Sequence, residues 1–176
     1  MVSNQNGKQI GHYCAIRYFT TSNGYRTAVR VWERPRALAR LIFLHGIVSH
    51  GGWYLRSCDY LCSRGFEIHF LERRGSGLNL AARGDVPSWH RWLQDVCEYT
   101  TQLGVKLPNV VLGISWGGKL ATALVLEYPE LFAAVAMICP GIYAKQQPNA
   151  IKRMALRLAY IIGLSTVKVP ILSLIH

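Results

Sequence analysis

Gly113-Ile114-Ser115-Trp116-Gly117 constrains this chain more than any other stretch. It follows the apolar run Val110-Val111-Leu112 and precedes the helical sequence Lys119-Leu120-Ala121-Thr122-Ala123-Leu124-Val125-Leu126-Glu127-Tyr128, so G-x-S-x-G falls where a strand hands over to a helix. A serine at so sharp a turn takes a strained backbone conformation that lifts its hydroxyl above the sheet, and the flanking glycines let strand and helix pass closely. The Ser115 oxygen then stands at a helix N-terminus, where amide groups and the helix dipole favour negative charge. A Gly-rich turn with a capping serine fits the same five residues. The strand before them and the unbroken apolar helix after them favour the strained turn with Ser115 as a candidate nucleophile.

The rest of the chain fits around this unit. Aromatic and β-branched runs at 12–19 and 25–32, joined by Thr20-Thr21-Ser22-Asn23-Gly24, predict an antiparallel hairpin. Residues 40–44 form a continuous apolar run after Arg40, of the kind buried on both faces of a parallel sheet. Alternation follows: a helix over 53–64 closed by Gly65, a strand over 66–71, and a helix over 89–103 with Ser88 as N-cap and Gly104 beyond its end. In the last of these, Trp89, Trp92, Leu93, Val96, Tyr99 and Leu103 recur at helical spacing and predict one buried face. A strand over 132–139 completes the run. The expected fold class is α/β, a mostly parallel sheet with helices on both faces and an N-terminal antiparallel hairpin.

Residues 1–144 are read as one core unit and 145–176 as the start of a lid. A polar connection at 145–149 leads to a basic amphipathic helix over 150–164, with Ile151, Met154, Ala155, Leu158, Ile161 and Ile162 on one side. It reads as a lid over the sheet, with a membrane-surface helix as the alternative. Arg157, Lys168 and Pro170 break the apolar stretch well short of the roughly 20 residues that a spanning helix needs.

The formal net charge of +11 admits an anionic membrane surface, or acids located elsewhere in a longer protein. Basic runs interleaved with aromatics are missing, so nucleic acid is not expected as a partner. The five cysteines are scattered over predicted strands and helices. Cys58 and Cys62 share a helix face, but no His or second pair completes a metal site, so buried thiols in a reducing cytoplasm are expected, with no metal and no cofactor.

A second constellation follows the run at 40–44: His45-Gly46-Ile47-Val48-Ser49-His50-Gly51-Gly52-Trp53-Tyr54. Parallel strands ending at one sheet edge place their following loops side by side, so this loop is expected near Ser115. Acyl transfer at a serine needs two N–H donors aimed at the developing oxyanion, and Trp116 and Ile47 are the candidates. His45, Gly46 and His50 are read as shaping the loop.

Three segments resemble the α/β-hydrolase family, within it the monoacylglycerol lipase and lysophospholipase-like group that includes the serine aminopeptidase domain. They are LIFLHGIVSHGGWY at 41–54, similar to the group's His-Gly-x-x-x-His oxyanion loop; LERRGSGLN at 71–79, similar to its Asp-x-Arg-Gly-x-Gly-x-Ser segment; and LGISWGGKLA at 112–121. The likeness spans about residues 13 to 143. Glu72 and Arg73-Arg74 stand where such enzymes often have Asp and His-Arg, and Asn79 where Ser is usual. The resemblance implies a serine hydrolase of a lipid-like acyl ester.

The chemistry also needs a histidine base and an acid, which in this fold follow the serine. After Ser115 the only acids are Glu127 and Glu130 and the only histidine is His176. Glu127 lies about 18 Å along the helix at the usual rise, out of reach. The expectation is therefore an N-terminal portion of such a hydrolase, ending within the lid, with the triad acid and histidine unassigned. The alternative is an inactive remnant that binds a partner or a membrane. Val135-Ala136-Met137-Ile138 is expected as an open apolar sheet edge prone to self-association.

Overall fold

A computed structural model describes residues 14–142 and 149–163. By its internal contacts the chain divides into two units, Met1–Ile142 and Tyr143–His176.

The first unit is a six-stranded sheet with helices on both faces. The hairpin β1 (Cys14–Thr20) and β2 (Arg26–Trp32) leads to β3 (Ala39–Leu44), helix α1 (Leu55–Ser63), β4 (Phe66–Leu71), helix α2 (Trp89–Gln102), β5 (Asn109–Ile114), helix α3 (Gly117–Glu127) and β6 (Ala134–Ile138). The spatial order is β1-β2-β4-β3-β5-β6. β2 pairs antiparallel with β1 and β4, while β4, β3, β5 and β6 run parallel, with Leu44 opposite Leu71 on one side and Gly113 on the other.

All six residues of β3 are buried, as expected for a central strand covered on both faces. Ile42, Leu71 and Val111 pack with Leu93 and Val96 of α2 and Leu120 and Leu124 of α3 on one face. Phe43, Ile68 and Phe70 pack with Trp32 and with Cys58 and Cys62 of α1 on the other. Fully burying such a side chain contributes about 1.5–3 kcal/mol, so the sheet holds its helices from both sides. The chain passes from β3 to β4 on one side and then back across to β5, and this reversal opens a crevice beyond the carboxyl ends of β3 and β5.

Several sequence expectations need correcting. The helix expected from residue 53 begins as a tight 3₁₀ turn, Gly51–Tyr54, and becomes α-helical only at Leu55. Ser88 occupies the N-cap position of α2, but its side chain makes no capping bond. Trp89 is exposed and stacks on His90, because the buried stripe of α2 begins a turn later, at Trp92 and Leu93. The strand expected over 132–139 spans only Ala134–Ile138, and a 3₁₀ turn, Pro129–Leu131, precedes it. Cys58, Cys62 and Cys97 are buried thiols, whereas Cys139 is exposed in the turn after β6. Burial pushes the Cys58 and Cys97 thiols up to about 12, which leaves them unreactive. Among the described residues no cluster of His, Cys, Asp or Glu could hold a metal ion, and no helix is long and apolar enough to cross a membrane.

The described part of the second unit is helix α4 (Ala150–Ile161), with Ile151, Met154, Leu158 and Ile161 exposed. The expected connection before Asn149, residues 164–176 of the expected lid with His176, and the first residues of the expected hairpin lie outside the described residues.

Candidate active site

Ser115 joins β5 to α3 with φ of +53°, left-handed backbone that a residue with a Cβ adopts at a cost of about 1–3 kcal/mol. Three backbone bonds hold it there. Its N–H donates to Ile138 O at 3.0 Å, and its carbonyl accepts from Gly118 N at 3.0 Å and from Gly141 N at 2.9 Å. The two glycines of the motif are required by close approach. A Cβ on Gly113 would lie 2.6 Å from the Gly117 carbonyl oxygen, and one on Gly117 would run into the Leu44 carbonyl at the end of β3.

The loop after β3 meets this turn, as adjacent parallel strands require. The Cβ position of Gly46 lies 3.6 Å from Ser115 Cβ and 3.9 Å from Ser115 Oγ. Ile47 follows with its side chain half-exposed, and Trp116 occupies the first position beyond Ser115, packed against the core. Among the described residues, neither the Ile47 N–H nor the Trp116 N–H is committed to a hydrogen bond. Among the described residues these two amides are thus unbonded, one in each of the two segments that meet at Gly46 and Ser115.

The two loop histidines are both occupied. His45 is buried, with Nδ1 2.8 Å from Gly46 O and Nε2 accepting from the Arg73 backbone N–H at 3.1 Å. Burial, with the Arg73 charge beside it, lowers its pKa from 6.5 to about 4, so it is neutral at pH 7. His50 caps the 3₁₀ turn, accepting from Gly52 N at 3.2 Å. His69 lies between Glu67 and Tyr99, and His90 stacks on Trp89. Among the described residues no side chain hydrogen-bonds the Ser115 hydroxyl, and α3 carries Glu127 to its far end.

The segment after β4 braces the loop. Glu72 is wholly buried and accepts from Arg30 Nε at 2.9 Å and from Gly51 N at 3.1 Å, which gives the carboxylate the partners a buried charge needs. Arg74 grips Asp95 of α2 through two bonds of 2.9 and 2.8 Å. Asn79 donates to Glu72 O at 2.7 Å and accepts from Ala28 N at 2.8 Å. Arg73 reaches back to the loop carbonyls, with Nη2 donating to Ile47 O at 2.9 Å. The resemblance singled out Arg73 only as a departure within LERRGSGLN, without its contacts, and sequence reading missed Asp95, for which the Arg91-x-x-x-Asp95 spacing was a signal. Among the described residues Thr27 Oγ1, Arg73 Nε and Trp92 Nε1 are buried without a partner, and their side chains line a cavity of about 20 Å³, the size of one water molecule.

Residues 35–171 match the model of the family described as Serine aminopeptidase, S33. The chain is 24% identical over 165 residues to a monoacylglycerol lipase from Mycolicibacterium smegmatis, covering 89% of this chain and 56% of that protein. It is 23% identical over 152 residues to a monoglyceride lipase homolog of monkeypox virus, covering 84% and 53%. The chain thus spans little more than half the length of these two relatives. Among solved structures it resembles an α/β hydrolase from Penicillium sp. sh18, with TM-score 0.69, 18% identity and coverage of 86% and 56%. It also resembles a thermostable carboxyl esterase from Bacillus coagulans, with TM-score 0.71, 15% identity and coverage of 93% and 55%. With a family match across most of its length and a sheet whose reversal point brings Gly46 against Ser115, the chain belongs to the S33 serine aminopeptidase family of α/β hydrolases.

Proposed function

We propose that Ser115 is the nucleophile of a serine hydrolase acting on a lipid-like acyl ester of the monoacylglycerol or lysophospholipid type. The observation that carries this reading is the left-handed Ser115 between β5 and α3, held facing the Gly46 loop with two uncommitted amides beside it. The Ser115 oxygen attacks the ester carbonyl as its proton passes to a general base. The Ile47 and Trp116 amides receive the oxyanion, and its collapse expels the alcohol, which takes the proton back from the base. Water then attacks the acyl-serine by the same route and releases the acid. His45, His50 and His69 are committed elsewhere and His90 stacks on Trp89, so in this reading the base and its acid partner come from outside the described residues, whether in this chain, a longer form of it or a second polypeptide.

The substrate class rests on the two lipase relatives; α4, taken by itself, exposes Ile151, Met154, Leu158 and Ile161 as an apolar side. The same exposed side, with Arg153 and Arg157 in the helix, favours a second reading in which α4 rests on an anionic lipid surface.

Hydrolysis of p-nitrophenyl butyrate and of a monoacylglycerol by the longest polypeptide that its gene encodes tests the proposal. Ser115→Ala should lower kcat/KM by about a thousandfold or more, since oxyanion binding alone leaves only a residual rate. Wild-type turnover in that variant refutes Ser115 as nucleophile. The 176-residue chain alone is expected to turn over near background, because a serine without a base is a weak nucleophile.

A further inference from the structure

We propose that Arg73 positions the oxyanion loop, holding three consecutive carbonyls of residues 45 to 47 with one guanidinium while stacking on Trp116 across the serine turn. This rests on the reading of Ser115, Ile47 and Trp116 given above.

The geometry begins with sheet order. β4 lies beside β3, so the residues just past Leu71 run alongside the loop that leaves Leu44. Arg73 is the second residue beyond β4. Its Nη1 donates to His45 O at 3.3 Å and to Gly46 O at 3.4 Å, and its Nη2 to Ile47 O at 2.9 Å. Its backbone N–H donates to His45 Nε2 at 3.1 Å, so main chain and side chain hold the same loop.

A peptide unit is planar, with its carbonyl and the following N–H on opposite sides. Drawing the Gly46 carbonyl toward Arg73 therefore fixes the Ile47 N–H to point away from Arg73. The Ile47 carbonyl, held in turn, fixes the exit of the chain toward Val48. An isolated glycine-containing loop samples many orientations of these planes. A cation facing three carbonyls in a row selects the one in which all three converge.

The same guanidinium also meets the serine turn. It lies 4.7 Å from the Trp116 ring centroid and 5.1 Å from that of Trp92, and the two rings meet edge-on at 5.0 Å. Trp116 supplies the other amide of the pair. One side chain thus touches both loops whose N–H groups flank Ser115, and Trp92 anchors it to α2. Lysine could not replace it, since an ammonium carries its charge at a point and lacks the planar fork that spans three acceptors and stacks on a ring. The guanidinium remains charged at neutral pH although burial lowers its pKa to about 10.

Backbone hydrogen exchange of the 176-residue chain tests this without any need for turnover. In Arg73→Ala, exchange at the hydrogen-bonded amides within 45–49, that of Ser49 donating to Gly46 O among them, is expected to rise about tenfold or more while β3 and β5 keep their protection. Ethylguanidinium added to that variant should restore slow exchange in the loop, and ethylammonium should not. Arg73→Lys should behave as Arg73→Ala does. Should Arg73→Ala fail to fold, the lysine variant, which keeps the stem and the charge, carries the test alone. Wild-type exchange at 45–49 in a folded variant overturns the proposal. So does equal loosening of β3, β4 and α2, which would make Arg73 a general packing residue, and so does rescue by ethylammonium. Any of these results would leave the assignment of Ser115, which is tested by ester hydrolysis, untouched.

Discussion

Mild acid should loosen this protein through His45. The imidazole is buried with Nδ1 against Gly46 O and Nε2 accepting the Arg73 N–H, an arrangement only the neutral ring can make. Its pKa falls from 6.5 to about 4, so the folded state binds a proton less readily than the unfolded state. A group depressed in this way contributes fully above pH 6.5 and loses its contribution as pH falls toward 4. Linkage between those two pKa values gives a loss of about 2 kcal/mol by about pH 5 and about 3 kcal/mol by about pH 4. Against a typical total of roughly 5–15 kcal/mol this is a large share. Burial also lowers the pKa of His69, which adds to the acid limb in the same direction. The Glu67 carboxyl, held down to about 2 by its bonds to His69 and Arg40, adds its own loss only below its ordinary value of 4.5. The assay is urea unfolding followed by circular dichroism across pH 5 to 8, comparing wild type with His45→Gln. Glutamine retains an acceptor for the Arg73 N–H but does not titrate. The variant is expected to start about 1 kcal/mol less stable at neutral pH, having lost the bond to Gly46, and to show a slope flatter by about 2 kcal/mol down to pH 5. An unchanged acid limb in His45→Gln would refute the assignment of that titration to His45.

Three further outcomes follow from the same geometry. Gly117→Ala should lower stability by about 3 kcal/mol or more, because the added Cβ meets the backbone carbonyl of Leu44, which cannot swing aside; a melting temperature within about 2 °C of wild type would contradict it. Ser115→Gly should raise stability by about 1 kcal/mol relative to Ser115→Ala, since glycine relieves the left-handed strain that alanine keeps; equal unfolding midpoints would show that the turn is unstrained. β6 pairs only with β5 among the described strands and exposes Val135, Met137 and Ile138, so the isolated chain should self-associate and Val135→Lys should shift it toward monomer. Light scattering after size exclusion decides that, and a wild-type monomer near 20 kDa at micromolar concentration would show the edge to be protected.

What the sequence determined by itself is what neighbouring residues decide among themselves. The unbroken apolar run ending at Leu44 could only be a strand covered on both sides, and it is the central strand with six buried residues. Gly65 and Gly104 mark helix ends because they take φ of +101° and +68°, conformations that other residues avoid. G-x-S-x-G located the turn because the demand for small residues on either side of Ser115 is local, and adjacency of parallel strand ends was enough to bring residues 45–47 beside it. The site's supports were not legible. Arg73 and Arg74 stood out only as departures from the family's segment and Asp95 not at all, and only the placement of β4 beside β3 and of α2 over that edge buries them against partners 21 to 28 residues away in the chain. Trp89, read as core, is exposed for the converse reason: helical spacing gives the apolar face but not how far along its length the sheet covers it. Backbone conformation is fixed within a few residues, whereas desolvation and ion pairing depend on which elements become neighbours, and that the assembled sheet alone decides.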